Sequence, residues 1–256
     1  GTPMKPYFET DLGKLYHGDC LEIMPHLEPV DLIITSPPYN MGISSGGGIR
    51  GAGNKGLWQA ANKGGLGCGY ENFGDNLPWD QYESWQRNFL DGAWGCLSKT
   101  GAIFYNHKPR CYAGEVRLPL IYNPNLPLRQ IITWVRPNGF NFSTSHYLPS
   151  YEWVLIFAKA DFRLKSKGAS GISDVWRMNT NPSPHHPCPF PIELPLNILN
   201  TTDGEPIVDP FAGGGTTLEA CEKLNRRWIG IEISEEYCEI AAKRIDAEAR
   251  QLKLFT

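Results

Sequence analysis

The amino-acid sequence predicts an α/β fold with a doubly wound, mostly parallel β-sheet. Two observations lead to this prediction. Short apolar runs of strand length alternate along the chain with segments whose apolar residues recur at helical spacing. The 256 residues are 41% hydrophobic and 20% charged, an ordinary globular composition on a chain long enough to bury a large core. Because strands joined by helices pair in parallel, we expect one sheet with helices on both faces.

Seven segments have the composition of strands. Val30–Thr35 is a continuous apolar run, which is typical of a parallel strand that is buried on both faces. The other six are shorter or are rich in β-branched and aromatic residues. In chain order the predicted strands are Leu15–His17, Val30–Thr35, Ala102–Tyr105, Arg129–Val135, Trp153–Ala158, Ile207–Asp209 and Trp228–Glu232.

Four helices are expected beside these strands. Asp80–Leu97 carries aromatic and small apolar residues at helical spacing, and Gly101 follows as a stop signal. The other three predicted helices are Ile192–Leu199, Thr216–Leu224 and a last one from Ser234, its N-cap, to about Arg250. Residues 41–76 lack periodicity, and loops of this length are usually functional or mobile.

Composition and cysteine usage exclude several classes of protein. No apolar run approaches the roughly 18 residues of a membrane-spanning helix, and the N-terminus lacks the layout of a signal peptide. The seven cysteines are odd in number, scattered and without a CxxC pair, which supports neither a zinc site nor a disulfide framework. We therefore expect no metal, no membrane partner and a reducing cytoplasmic location.

The formal net charge of -3 hides a strong asymmetry along the chain. Between Arg87 and Lys167 eleven Lys and Arg residues face only four Asp and Glu residues, so this segment carries +7 and the remainder -10. Local charge decides whether a protein surface can hold phosphates. A solvated surface would also account for the basic residues, but aromatic residues interleaved among them favour a nucleic-acid partner.

The first chemical signal is the segment VDPFAGGGTTLEA at residues 208–220. A strand ends at Asp209, glycines from Gly213 onward allow a tight turn, and Thr216 opens a helix with free N–H groups. The next strand ends in Glu232, an acid placed to accept hydrogen bonds from ribose hydroxyls. A structural glycine turn would explain the glycines alone, whereas the whole series favours a nucleoside-cofactor site. GxGxxG is absent and no lysine follows the glycines, which disfavours dinucleotide and P-loop sites.

The second signal is VDLIITSPPYN at residues 30–40, where an apolar strand runs directly into Ser36, two prolines and Tyr39. The prolines withdraw two N–H donors, which leaves carbonyl oxygens and the Ser36 hydroxyl as a rigid, acceptor-rich turn. Such a turn suits a planar ligand with an exocyclic amino group. An ordinary proline turn would look the same in isolation. Both signals follow parallel strands, however, so we expect them to meet at the carboxyl edge of one sheet.

These segments together resemble the DNA amino-methyltransferases that use S-adenosylmethionine (SAM), in the permuted class whose catalytic motif precedes its cofactor motif. TSPPY at 35–39 resembles the catalytic motif, and DPFAGGGTT at 209–217 with GIEIS at 230–234 resembles the cofactor segments. GDCLEIMPHL at 18–27 and HPCPFPIEL at 186–194 resemble two further family segments. The match covers most of the chain. The combination of motifs is highly specific, although any one alone would not be.

The resemblance implies a single SAM-dependent methyltransferase domain over residues 4–256, with a seven-stranded Rossmann-like sheet and S-adenosylhomocysteine as the product. Its implied catalytic residues are Ser36, Pro37, Pro38 and Tyr39. Its implied cofactor-binding residues, with Asp19 near the adenine amino group, are Asp19, Cys20, Asp209, Pro210, Phe211, Ala212, Gly213, Gly215, Thr216, Thr217, Glu232, Ile233, His186 and Pro187.

The implied reaction is methylation of an exocyclic amino group on a DNA base that has swung out of the duplex. Serine in the first motif position is commoner among N4-cytosine enzymes of the family, so N4 of cytosine is the expected target. N6 of adenine stays open, because Asn40 after the tyrosine also occurs in adenine enzymes. The same residues are also compatible with an RNA or small-molecule amino-methyltransferase and with a catalytically silent nucleotide-binding module.

The basic segment then acquires a role in binding DNA. The family places DNA-contacting insertions between core strands, and the corresponding candidates here are Lys108, Arg110, Arg117, Arg129, Arg136 and Asn138. Residues 41–76 and about 108–128 are the candidate recognition segments, which implies a short recognition sequence. Family members commonly pair and accompany a restriction endonuclease in a prokaryotic cell or a phage host. A homodimer and a cognate endonuclease are therefore partners that the resemblance implies.

Overall fold

The computed structural model of the protein describes residues 4–40, 77–112, 114–136, 144–179 and 191–253. Its strands are β1 Phe8–Glu9, β2 Gly13–His17, β3 Val30–Thr35, β4 Leu97–His107, β5 Arg110–Tyr112, β6 Glu115–Arg117, β7 Leu128–Val135, β8 Tyr151–Ala158, β9 Val175–Arg177, β10 Ile207–Asp209 and β11 Trp228–Glu232. Its helices are α1 Cys20–Ile23, α2 Trp79–Cys96, α3 Glu193–Thr201, α4 Thr216–Lys223 and α5 Glu235–Lys253. Short 3-10 turns cover Met24–His26, Pro119–Tyr122 and Ala169–Gly171.

Nine strands form the main sheet in the order β1-β2-β11-β10-β3-β4-β8-β7-β9, while β5 and β6 pair as a separate hairpin. Strands β2, β11, β10, β3 and β4 run parallel, and β8 is antiparallel to both of its neighbours. The predicted mostly parallel α/β sheet is confirmed. All seven predicted strands are present, and the short strands β1 and β9 extend the sheet at its two edges.

The core lies on both faces of the sheet because successive residues of a strand point to opposite sides. On one face, Leu32 and Ile34 of β3 belong to a buried cluster with residues of α3, α4 and α5. On the other face, Ile33 of β3 packs in a second cluster with Phe89 and Leu90 of α2. The central strand β3 is therefore covered on both sides, as its continuous apolar run predicts.

Strand β4 begins five residues earlier than its apolar run, directly after α2 ends at Cys96. Leu97 pairs with Val30, and the register then shifts before Ala102 pairs with Leu32. The polar residues Ser98, Lys99 and Thr100 hide this first part of the strand from a hydrophobicity pattern. Strands β1, β5, β6 and β9 span only two or three residues each, which is too short for a periodic signal.

The parallel strands bring their carboxyl ends to one edge of the sheet, where β3 leads into the Ser36 turn and β10 leads into the glycine loop. These two strands are neighbours, with Ile207 opposite Leu32 and Val208 opposite Ile33. The predicted meeting of the two motifs follows directly from this pairing. Among the described helices, none has both the length and the apolar character that crossing a membrane requires.

Gly230 of β11 tests how tightly the sheet packs on α4. A Cβ atom at this position would lie 2.4 Å from Leu218 Cδ1 and 3.0 Å from Leu15 Cδ1. We expect Gly230→Ala to lower the free energy of unfolding by about 1–3 kcal/mol, because overpacking displaces buried side chains. Urea denaturation measures the change.

Gly95→Ala is the matched control for this substitution. Gly95 lies in α2, and a Cβ atom there would meet nothing within 4 Å. The control should raise the free energy of unfolding by up to about 1 kcal/mol, because alanine has the higher helix propensity. Equal effects of the two substitutions would contradict the packing that we describe around Gly230.

Candidate active site

Asp209 connects the two motifs at the carboxyl edge of the sheet. Thr35 Oγ1, at the end of β3, donates a hydrogen bond of 2.8 Å to Asp209 Oδ1. Thr217 Oγ1, in the first turn of α4, donates a bond of 2.6 Å to Oδ2, and the Phe211 backbone N–H donates to Oδ1 at 3.1 Å. Asp209 is only 1% exposed, and this burial raises the pKa of its carboxyl to about 6 despite the three donors. One buried carboxyl thus joins the catalytic strand, the glycine loop and the following helix.

The glycine loop needs its glycines for two separate reasons. Gly213 and Gly215 have φ angles of 49° and 82°, in the left-handed region that favours glycine. A Cβ atom on Gly215 would also lie 3.1 Å from the Cβ of Ala241 in α5. The loop closes on itself because Gly215 N–H donates to the Ala212 carbonyl at 2.8 Å. It is anchored to β11 by Ala212 N–H, which donates to the Ile231 carbonyl at 2.9 Å.

Glu232, at the end of β11, holds this loop from the other side. Its Oε2 accepts the Gly213 N–H at 2.8 Å, and its Oε1 accepts the Ser234 N–H at 2.9 Å. The side chain is 5% exposed, and burial raises the pKa of its carboxyl to about 7. Each carboxylate oxygen has a second lone pair, so Glu232 keeps the capacity to accept a ligand hydroxyl while it orients the loop.

The Asp19 segment lies beside Glu232. Asp19 caps the short helix α1, its Oδ1 accepting the Leu21 N–H at 2.8 Å. The preceding Gly18 N–H donates to the Glu232 carbonyl at 2.9 Å, which draws the two strand ends together. Asp19 is half-buried, and Cys20 is buried with the pKa of its thiol raised by desolvation. Two acids that are far apart in sequence thus flank one place at the edge of the sheet.

The remaining predicted cofactor residues complete a surface that fits an adenosine group. Phe211 packs on Trp85 and Phe89 of α2 with ring centroids 5.6 and 4.8 Å apart, yet stays half-exposed, as does Ile233. Flat apolar surface beside carboxylates suits a purine ring and a ribose diol, so these residues fit SAM. Pro210, Ala212 and Thr216 are buried, and Thr216 Oγ1 accepts a hydrogen bond from Arg244 at 3.0 Å.

The Ser36 turn presents a cluster of side-chain oxygens. The Ser36 and Tyr39 hydroxyl oxygens are 2.9 Å apart. Tyr39 OH also lies 3.0 Å from Asn106 Oδ1, at the end of β4, and 2.9 Å from Glu152 Oε2, at the start of β8. Asn106 and Glu152 are 2% and 6% exposed, so this cluster forms the floor of the site rather than its rim.

A buried hydrogen-bond network supports the turn from below. The Pro38 carbonyl accepts hydrogen bonds from Tyr82 OH at 2.6 Å and from Gln86 Nε2 at 3.2 Å, both on α2. Tyr105 OH of β4 in turn donates to Gln86 Oε1 at 2.8 Å. Because every member has a partner, the network holds the Pro38 carbonyl in one place. The carbonyl of Pro38 is thereby committed to the scaffold.

His107, at the end of β4, supports the Tyr39 ring. The two ring centroids are 4.5 Å apart with a tilt of 37°. The Lys108 N–H donates to His107 Nδ1 at 2.9 Å, so the neutral ring carries its proton on Nε2, which lies 2.8 Å from Tyr82 OH. Complete burial lowers the pKa of His107 to about 3. The ring is therefore an uncharged support for Tyr39.

Both sides of the undescribed segment 41–76 are tied to the turn. Asn40 has a φ of 55° and makes two hydrogen bonds with the Leu77 backbone. Asn40 Nδ2 donates to the Leu77 carbonyl at 2.8 Å, and the Leu77 N–H donates to Asn40 Oδ1 at 2.7 Å. Arg110 NH1 donates to the Asn40 carbonyl at 2.6 Å. The end of the catalytic motif is thus fixed to the start of the chain leading into α2 and to the β5–β6 hairpin.

The predicted DNA-contacting residues fall into different settings. Lys108 Nζ lies 5.3 Å from the centre of the Tyr39 ring, and the Arg136 guanidinium lies 3.4 Å from Glu152 Oε1. Arg117 pairs with Glu83 at 3.0 Å and packs over Trp79. Arg129 stands at the start of β7, at the opposite edge of the sheet, where its NH2 donates to the Lys159 carbonyl. Asn138, His186 and Pro187 lie outside the described residues.

The structure therefore brings the Ser36 turn, the glycine loop, Glu232 and Asp19 to one edge. Sequence reasoning missed six residues of this site, namely Thr35, Tyr82, Gln86, Asn106, His107 and Glu152. Polar residues at the ends of otherwise apolar strands, in FYNH and SYEW, were the available signal for three of them. Within the described parts of the chain, no three His, Cys, Asp or Glu side chains gather in a way that could hold a metal ion.

Three comparisons with known proteins agree with this geometry. A family model described as DNA methylase, N6_N4_Mtase, matches residues 30–243. The type II methyltransferase M2.MboI of Moraxella bovis is 30% identical over 94% of this chain and 91% of its own length. The structure of the cytosine-N4-specific PvuII DNA methyltransferase superposes with a TM-score of 0.72 at 18% identity, covering 98% of this chain and 96% of its own. The M1.HpyAVI–SAM complex superposes at 0.57 with 21% identity over 91% of this chain and 100% of its own.

The raised pKa of Glu232 predicts how stability depends on pH. A buried carboxyl that titrates near 7 when folded, against 4.5 ordinarily, stabilises the folded state fully below pH 4.5 and loses that contribution as the pH rises through 7. We expect the wild type to lose about 3 kcal/mol of its free energy of unfolding relative to Glu232→Gln between pH 4.5 and 8.

Urea unfolding at several pH values measures this difference. Glu236→Gln, at an exposed position of α5, serves as the control and should change the free energy of unfolding by less than about 0.5 kcal/mol. A wild-type protein that gained stability over Glu232→Gln as the pH rose would contradict the raised pKa of this buried carboxyl.

Proposed function

Since the chain belongs to the N6/N4 DNA methylase family, we propose that it transfers the methyl group of SAM to the exocyclic N4 of a cytosine in DNA. The observation that carries the proposal is the oxygen cluster of Ser36, Tyr39, Asn106 and Glu152 beside the glycine loop. An acceptor-rich pocket suits an amino group, which brings two N–H donors and no strong acceptor of its own.

The Ser36 turn acts on the target base by accepting its amino hydrogens. Ser36 Oγ and the Pro37 carbonyl are the two acceptors that we assign, because the Pro38 carbonyl is already committed to Tyr82 and Gln86. Hydrogen bonds at both N–H groups pyramidalise the nitrogen and withdraw its lone pair from the aromatic ring. The Tyr39 ring, supported by the uncharged His107, offers a flat surface on which the extruded base stacks.

We propose that SAM binds at the glycine loop, in contact with Asp19, Phe211, Glu232 and Ile233. SAM supplies a methyl group bonded to a positively charged sulfur, which any well-placed nitrogen lone pair can attack. The M1.HpyAVI structure, which contains SAM, supports this choice of cofactor. Asp19 and Glu232 would accept hydrogen bonds from the adenine amino group and the ribose hydroxyls. Positioning of the two partners supplies much of the rate gain in such a reaction.

Cytosine is the preferred base because Ser36 is small and neutral, where the family's adenine enzymes commonly carry an aspartate. The PvuII enzyme, which shares the fold, is described as cytosine-N4-specific and supports the same choice. N6 of adenine is the second candidate, because a neutral serine accepts either amine. The hydrogen-bonded Asn40 after Tyr39 favours this second candidate.

Membership of the DNA methylase family indicates DNA as the substrate. We propose that the DNA lies over the carboxyl edge of the sheet. Lys108, Arg110 and Arg136 are the basic candidates nearest to the Ser36 turn, whereas Arg129 stands at the far edge. Contacts with phosphates from this edge would make DNA affinity fall steeply with salt. Salt-insensitive binding of duplex DNA would favour an RNA or small-molecule substrate.

One experiment tests the reaction and its target together. The protein is incubated with labelled SAM and varied duplex DNA, and the DNA is digested to nucleosides for mass spectrometry. We expect N4-methylcytosine; N6-methyladenine would select the second candidate, and neither product would contradict the proposal.

Ser36→Ala and Tyr39→Ala should each lower the rate of methyl transfer by about 10- to 100-fold. This factor corresponds to the loss of one hydrogen bond to a charged group. Ser170→Ala, in an exposed turn on another part of the chain, is the control and should leave the rate unchanged. Equal rates for all three variants would contradict the assignment of the site.

A further inference from the structure

The oxygen cluster around Tyr39 contains fewer protons than its contacts require. Tyr39 OH lies within hydrogen-bond distance of Ser36 Oγ, Asn106 Oδ1 and Glu152 Oε2. Asn106 Nδ2 donates to the Trp153 carbonyl at 3.1 Å, which turns Oδ1 toward the tyrosine. An amide oxygen accepts hydrogen bonds and never donates them.

Counting donors shows which proton is absent. If Glu152 is ionised, both Asn106 and Glu152 are acceptors, and the single hydroxyl proton of Tyr39 cannot satisfy both. Ser36 donates to Tyr39 or to another acceptor, so it does not remove the conflict. If Glu152 carries a proton, it donates to Tyr39, Tyr39 donates to Asn106, and Ser36 donates to Tyr39. The cluster therefore has a hydrogen-bonded place for one additional proton.

Methylation of an amino group releases one proton. The nitrogen lone pair forms the N–C bond, and the C–S bond of the sulfonium breaks with its electrons going to sulfur. The nitrogen then carries a positive charge and must lose a proton to give the neutral methylamino product. No histidine is available for this step at the described site, because His107 is buried with the pKa of its ring lowered to about 3.

We propose that Glu152 takes up this proton through the hydroxyls of Ser36 and Tyr39. The N–H bond breaks with its electron pair returning to nitrogen, and the proton goes to Ser36 Oγ. The Ser36 hydroxyl proton moves to Tyr39, whose own proton moves to Glu152 Oε2. Glu152 ends as the neutral acid, and both hydroxyls are regenerated. The inference rests on the proposed function and adds a proton acceptor that acts through Tyr39 rather than on the base.

The surroundings of Glu152 suit a carboxylate that starts ionised. Arg136 NH1 lies 3.4 Å from Oε1, the oxygen that faces away from Tyr39, and both side chains are largely buried. Other charged or titratable groups packed around the cluster in the described structure include Tyr39 itself, the neutral His107, Lys108 over the Tyr39 ring and Arg110, which donates to the Asn40 carbonyl. Arginine and lysine side chains therefore place positive charge around the carboxyl that accepts the proton.

Glu152→Gln and Tyr39→Phe test the relay. Each variant should lower the single-turnover rate of methyl transfer by about 100-fold, a common size for the loss of acid–base assistance. The double variant should be no slower than either single variant, because both substitutions interrupt one path. The wild-type rate should fall on acidification, and Glu152→Gln should lack this fall.

Two further measurements separate the relay from a structural role. DNA affinity and the fluorescence of 2-aminopurine at the target position, which reports base extrusion, should stay within about 3-fold of wild type in both variants. Glu205→Gln is the matched control, since Glu205 also pairs with an arginine, Arg226 at 2.9 Å, but on the loop before β10. It should change thermal stability and leave the pH profile unchanged.

Four outcomes would overturn the relay: unchanged rates in Glu152→Gln, an unchanged pH profile, additive losses in the double variant, or a loss of rate matched by a loss of base extrusion. Tyr39→Phe keeps the test open if Glu152→Gln does not fold. Absence of methyl transfer by the wild-type enzyme would contradict the proposed function itself. Equal rates of methyl transfer by the wild type and by Glu152→Gln would contradict the relay and leave the proposed function standing.

Discussion

The site depends on the hydrogen bonds that the buried carboxyl of Asp209 accepts. This carboxyl receives hydrogen bonds from Thr35 at the end of β3, from Thr217 in α4 and from the backbone of Phe211. Removing one partner would leave a buried polar group unsatisfied, which costs more than the hydrogen bond contributes. Through this one group the catalytic turn and the glycine loop share a single position. The distance between them in sequence has no bearing on their distance in space.

The same pairing explains why the sequence could predict that the two motifs lie side by side. Parallel strands end at one edge, so a motif directly after β3 and another directly after β10 had to meet. The sequence could not indicate the groups that complete the site from elsewhere. Gln86 falls on the buried face of α2, where periodicity predicts an apolar residue, and its partners come from the proline turn and from β4.

Glu152 shows the same limit in a strand. It is the second residue of β8, which a hydrophobicity pattern starts at Trp153, and its partners are residues 113 and 16 positions away in the chain. A local pattern can mark where a strand lies but not which distant side chain contacts a given residue of it. Short edge strands and the β5–β6 hairpin escaped for a simpler reason, since two or three residues cannot display a period.

The basic segment has a more internal role than its charge suggests. Arg110 binds the carbonyl at the end of the catalytic motif, Arg117 pairs with Glu83, and Arg136 pairs with Glu152. A guanidinium has five N–H donors, so an arginine can hold the protein fold and still direct N–H groups outward. Charge counted along a sequence therefore includes cations that also hold the fold together.

The double hydrogen bond between Asn40 and the Leu77 backbone has an evolutionary consequence. It fastens the chain on either side of residues 41–76 to one point beside the catalytic turn. Insertions, deletions or wholesale exchange between these two residues would begin and finish at the same place, and the geometry of Ser36 and Tyr39 would be preserved. Natural selection, or an engineer grafting a segment from a relative, could then vary one part of the enzyme without rebuilding its chemistry.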